Sequence, residues 1–211
     1  MKYLSSRLSA AMWARVLLLW LTLFVGAIVV GGIAFWLGGF IQGNIRNELT
    51  SQQITFTAAD KLTDEEKQLP GIVENAGLEL RTGNQAQAYA GLIGLHLKEA
   101  SSSAGYPDAS YATLGGIQGT LRAAVATAKT SGDQAAIDKA NADLTAATNL
   151  RNTMLTGNTL RGNLLSAYGW DNVATGVQAT GVVILVLALV FLILFIYELQ
   201  HGHLPPLTEA Q

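Results

Sequence analysis

The chain has 211 residues, 50% of them hydrophobic and 13% charged, with a formal net charge of −2. Soluble domains carry about 25% charged residues, so half the usual complement is missing, chiefly from two uncharged runs at residues 16–41 and 173–197. The absence of cysteine excludes disulfides, thiolate metal sites and lipoprotein processing.

Residues 1–15 read as a short cytoplasmic tail carrying Lys2, Arg7 and Arg15. Residues 16–41 exceed the ~20 apolar residues that a helix needs to cross ~30 Å of hydrocarbon. The run is too long for the h-region of a signal peptide, and no A-x-A site follows it, so it is expected to stay attached as transmembrane helix 1. Its small residues fall at Ala27-xxx-Gly31, Ala34-xxx-Gly38 and Gly39-xxx-Gly43, spacings that let helix backbones approach closely. These six residues are the helix-packing candidates, although glycine is also commoner in membrane helices than in soluble ones.

Residues 42–172 carry a helical pattern, expected as an extracytoplasmic helical bundle. Thr63-Asp64-Glu65-Glu66 matches a capping box, and its acidic residues suit the first turn of a helix. From Asn84, a helical stripe brings Tyr89, Leu92, Ile93 and His96 to one face. Ala104–Asp108 is a Gly/Pro break. Leu114, Ile117, Leu121, Ala124/Val125 and Ala128 form a second stripe, and Ser131-Gly132-Asp133 reads as a stop followed by a new start. A thinner third stripe runs through Ile137, Leu144, Ala147, Arg151 and Met154, with a predicted kink at Thr156-Gly157-Asn158. The β-like alternation QITFT at residues 53–57 is too short to propose a sheet. Gly91, Gly94, Gly115, Gly116 and Gly119 each weaken a helix by ~0.5–1 kcal/mol relative to alanine, which implies close packing against the same chain or a partner.

Residues 173–197 form the second predicted span, and residues 198–211 a short inner tail. The denser flanking Lys/Arg mark the cytoplasmic side. Only the N-terminal tail supplies that signal, and it places both termini inside and residues 42–172 outside a plasma (inner) membrane. Trp13 and Tyr197 are the expected anchors at the inner interface, and Trp36 and Trp170 at the outer one, where amphipathic rings settle at headgroup depth.

Catalysis calls for a cluster of titratable groups. His96 is the only histidine of residues 42–172, with no orienting carboxylate or nucleophile at a recognisable spacing, and is expected to be half-buried and hydrogen-bonded. His201 and His203 have a metal-capable spacing but form no closed site. Residues 42–172 hold 10 Lys/Arg against 13 Asp/Glu, which argues against nucleic-acid binding. The reading is a non-enzymatic chain with no cofactor.

SQQITF, GNQAQAYAGLIGLHLKE, AGYPDASYATL and LRGNLLSAYGW resemble segments of uncharacterised actinobacterial two-span membrane proteins. Proteins of that kind are sometimes labelled aromatic ring-opening dioxygenases, a label that no His/Glu metal set in this sequence supports. The resemblance covers about a fifth of the chain and implies the topology and an accessory role. Together these readings predict an all-α chain, two transmembrane helices carrying an extracytoplasmic helical bundle. Its expected function is that of a non-catalytic accessory subunit in a larger membrane complex, such as a respiratory supercomplex or membrane-bound monooxygenase. The expected partners are membrane lipids, other integral subunits or a second copy of the chain. The alternative is an extracytoplasmic sensor or adaptor signalling through a separate partner, since the inner tail is too short for an output module.

Overall fold

The computed structural model describes residues 10–201; His203 and Thr208 lie outside the described residues. Five α-helices succeed one another: α1 (Ala10–Ser51), α2 (Asp64–Lys67), α3 (Gly83–Ser103), α4 (Tyr111–Ser131) and α5 (Gln134–His201), with a 3₁₀ turn at Ala59–Lys61. The protein is all-helical among the described residues, and both α1 and α5 are long and apolar enough to cross a membrane. The chain divides into two units. One holds the apolar segments up to Asn44 and from Asn172, and the other is Ile45–Asp171.

The second unit is built on capped helices. Thr63 and Glu66 form the predicted capping box on α2. Thr82 with Gln85 caps α3, and Ser110 with Thr113 caps α4, each pairing reciprocally. Such caps satisfy orphan N–H donors and are worth ~0.5–2 kcal/mol each. Gly132 ends α4 with φ 73°, the left-handed conformation that glycine adopts without a Cβ clash. Asp133 then opens α5 by accepting from the Ala135 N–H at 3.0 Å.

Two apolar clusters fill this unit. In the first, Phe56, Leu62, Ile72 and Leu80 of the segment between α1 and α3 pack on Ala86, Ala90 and Leu92 of α3 and Leu164 of α5. Residues 53–57 find a short partner in residues 77–80: Phe56 N–H donates to Leu78 O and Leu80 N–H to Ile54 O, both at 2.9 Å, around one antiparallel bridge between Thr55 and Glu79. In the second cluster, Leu97, Leu114, Leu150 and Met154 join α3, α4 and α5.

Thr156-Gly157-Asn158 does not break the helix, because α5 is continuous from Gln134 to His201. A Cβ on Gly157 would lie 2.6 Å from Leu97 Cδ2, so the glycine makes room for a core leucine. Two of the mid-helix glycines differ from it. Gly94 lies under the Arg161 guanidinium and Gly115 under that of Arg151, but with Cβ positions 3.6 and 3.4 Å from the nearest guanidinium atoms, a distance of ordinary van der Waals contact that a Cβ could also make. Arg151 continues over the Tyr111 ring, 4.1 Å from its centroid, and donates to buried Gln118 Oε1 at 3.0 Å. Gly91, Gly116 and Gly119 meet nothing within 4 Å.

Candidate functional site: the seam between the two apolar helices

Within the first unit α1 and α5 run antiparallel and touch along one face. On α1 the least exposed positions include Trp20, Phe24, Ala27, Gly31, Ala34 and Gly38, alternating three and four residues apart. On α5, Ala174, Gly181 and Ala188 are buried at seven-residue intervals. Three-four alternation keeps one stripe of each helix facing its partner and gives shallow, left-handed packing.

The contact is close because it is made by backbone. A Cβ on Gly38 would lie 2.6 Å from Ala174 O and 3.0 Å from Gln178 N; one on Gly181, 2.6 Å from Phe35 N and 2.8 Å from Gly31 O. At Gly31 the approaches are 3.0 Å to Leu185 Cγ and 3.1 Å to Gly181 O. Of the other predicted packing residues, Ala27 and Ala34 are half-buried on the same stripe. Gly39 flanks it, with its Cβ position 3.5 Å from Gln178 Nε2, and Gly43 meets nothing within 4 Å. The close approaches therefore centre on Gly31 and Gly38, seven residues apart rather than four. Gln178, the one strongly polar side chain of the second predicted span, is turned to this seam.

Polar and aromatic contacts join the pair at several levels. Gln42 Nε2 donates to Thr175 Oγ1 at 2.9 Å, Trp13 Nε1 donates to the Glu198 carbonyl at 3.3 Å, and Trp20 lies 6.1 Å from Phe191 between ring centroids. Trp13 is thus half-buried in the seam. Trp36 is 64% exposed, stacked on Phe40, and Trp170 and Tyr197 are also exposed.

Away from the seam the apolar surface is uncovered. Only 6% of the most apolar window of α1 and 11% of that of α5 are buried. Leu18, Ile33, Phe35, Val183, Leu189 and Ile193 all point outward. A helix in a soluble core buries most of such a window, so this pair has the pattern of helices that need an apolar solvent or further protein around them.

The titratable groups of the second unit form one pair that sequence spacing did not reveal. Glu66 is 7% exposed. Its Oε2 accepts from the Thr63 N–H at 2.8 Å and its Oε1 from His96 Nε2 at 2.9 Å. His96 therefore does have an orienting carboxylate, thirty residues earlier in the chain, and Glu66 does more than favour the helix dipole. The His96 side chain is 52% exposed, so it is hydrogen-bonded as expected but exposed rather than half-buried. No third His, Cys, Asp or Glu joins them among the described residues, and the pair ties α2 to α3.

The Thr63 N–H and then the His96 hydrogen bond hold the Glu66 carboxyl below its ordinary 4.5. A carboxylate with a depressed folded pKa stabilises the native state above its unfolded pKa, and that stability is lost as pH falls through the folded value. The expected result is a melting temperature that declines as pH is lowered below 4.5. In Glu66→Gln the native protein should melt lower at neutral pH and lose less on acidification. Parallel pH profiles for the two proteins would refute the role assigned to Glu66.

Comparison of the chain with protein-family models, with curated proteins and with solved structures finds no match.

Proposed function

We propose that the chain is a two-span integral membrane protein of the inner membrane, with both termini cytoplasmic and residues 42–172 outside. In this reading it serves as a non-catalytic accessory subunit that assembles through helix packing. One observation carries it: α1 and α5 cover one small-residue stripe against each other and leave the rest of their apolar circumference bare. Lipid accounts for such a surface, and so do the spans of a larger complex. The exposed glycines Gly116 and Gly119 on α4 are consistent with a partner for the outer unit as well. A respiratory supercomplex or a membrane monooxygenase is a suitable host, in keeping with the resemblance to actinobacterial two-span proteins.

Two linked measurements test this. The chain has no cysteine, so single cysteines report on a clean background. Ser102→Cys should react with a membrane-impermeant thiol reagent in intact cells and Thr208→Cys should not; labelling at Thr208 alone reverses the orientation. Purification in mild detergent should then bring down integral membrane subunits. His96→Gln should leave the activity of that assembly intact, while deletion of residues 42–172 should lower its yield. A partner-free protein that turned over a substrate and lost the activity with His96→Gln would defeat the accessory reading.

A further inference from the structure

The side chains of α3, α5 and the α3–α4 loop line an open surface cavity of about 300 Å³, at which Lys98, Asp108 and Arg161 are exposed. Lys98 and Arg161 line it together with Asp108, Asn158, Leu97 and Met154. The Arg161 guanidinium lies across Gly94, whose Cβ position would be 3.6 Å from both Cζ and Nε. Lys98 follows Gly94 by four residues and so stands one turn along the same face of α3. Two cations thus share one wall. Neither is in an ion pair among the described residues, and Asp108 is within ion-pair distance of neither. The opposite charges line one cavity without neutralising each other.

The loop that carries Asp108 is held firmly. Buried Ser101 donates through Oγ to Tyr106 O and accepts from the Ala109 N–H at 3.0 Å. Between these clamps Asp108 adopts φ 58°, a left-handed conformation that costs a non-glycine residue energy and persists only where the surroundings impose it. Leu97 and Met154 supply an apolar wall. An open cavity of this volume has room for a carboxylate or phosphate together with an ammonium, each within hydrogen-bonding reach of its partners.

We propose that this cavity binds a small zwitterion, with its anionic group at Lys98 and Arg161 and its ammonium at Asp108. The planar guanidinium suits a carboxylate or phosphate bidentately, and Lys98 adds a point charge. Either a free α-amino acid or a phosphoethanolamine headgroup has this chemistry. The inference does not rest on the accessory reading. Ligand binding of this kind is what an adaptor signalling through a separate partner would use.

The test is calorimetric titration of the purified full-length protein in detergent. The probes are the twenty proteinogenic amino acids taken singly, phosphoethanolamine and inorganic phosphate. The expected result is saturable binding of at least one zwitterion. A tightest amino acid points to a free metabolite, and tightest phosphoethanolamine to a lipid headgroup. Capping the ammonium by N-acetylation, or removing the anion (as the amide of an amino acid, or ethanolamine for phosphoethanolamine), should each weaken binding at least tenfold. Arg161→Met and Asp108→Asn should do the same while helical circular dichroism and the melting temperature hold. If Arg161→Met fails to fold, Arg161→Lys and Lys98→Met give the same comparison with smaller expected losses. Failure of every zwitterion to bind the folded protein overturns the proposal. So does binding indifferent to these substitutions, and so does phosphate binding as tightly as any zwitterion with Asp108→Asn without effect.

Discussion

Gly38→Leu is expected to separate α1 from α5 and to produce the largest loss of stability among substitutions in the apolar helices. The new Cβ would meet Ala174 O at 2.6 Å and Gln178 N at 3.0 Å. Both are main-chain atoms that cannot rotate aside, so relief requires the helix axes to move apart. Gly181→Leu meets Phe35 N at 2.6 Å and should act alike. Gly31→Leu, whose nearest approaches are 3.0–3.1 Å, should follow them. Overpacking a well-fitted contact costs about 1–3 kcal/mol, and leucine at a backbone contact belongs at the upper end. Gly26→Leu and Gly32→Leu have nothing within 4 Å and should be nearly silent. The measurement is thermal unfolding in mild detergent, with cross-linking between cysteines placed on α1 and α5. Equal losses at Gly26 and Gly38 would show that the seam is not on this face.

Leu114→Ala should be the most damaging truncation in the Ile45–Asp171 unit. Leu114 is 0% exposed and packs with Leu97, Leu150 and Met154, so three helices lose a shared neighbour at once. Buried leucine-to-alanine changes cost about 2–5 kcal/mol, depending on how far the site can collapse. Collapse here is resisted, because Gly157 already admits Leu97 to 2.6 Å from the position its Cβ would take. Leu155→Ala, at a site 49% exposed, is the matched control and should change stability by less than about 0.5 kcal/mol. Denaturant unfolding followed by circular dichroism distinguishes them, and similar midpoints for the two variants would contradict the packing described for α4.

The parts of this architecture that were legible in sequence are those set by local rules. The uncharged runs mark the apolar segments of α1 and α5, and the Thr63–Glu66 box and the Ser131-Gly132-Asp133 turn sit where their side-chain chemistry places them. Leu114, Ile117 and Val125 of the second stripe turn inward while Ala124 is exposed. What sequence could not supply depends on residues far apart in the chain. Ile72 and Leu80 follow no helical or strand period, and the QITFT alternation that holds Phe56 is too short to read as a sheet; the burial of all three comes from packing with α3 and α5. Glu66 meets His96 only after α2 has docked. The Thr82-x-x-Gln85 box was available as a signal for the start of α3. Gly157 shows the limit most clearly: glycine loosens a helix and also admits a neighbour, and only the position of Leu97 decides between the two.

The spacing of the glycines has a mechanical consequence for α1 and α5. On α5 the small residues Ala174, Gly181 and Ala188 recur once every seven positions, and the seam positions between them, Gln178 and Leu185, carry bulk. Seven residues of helix advance about 10 Å, so sliding one helix along the other by a single turn would drive side chains such as Leu185 out of their recesses and onto the opposing backbone. The pair resists piston motion as a key resists travel in a cut slot. A force applied to one helix is therefore passed to both, and the two can tilt or rotate together far more readily than they can shift in register.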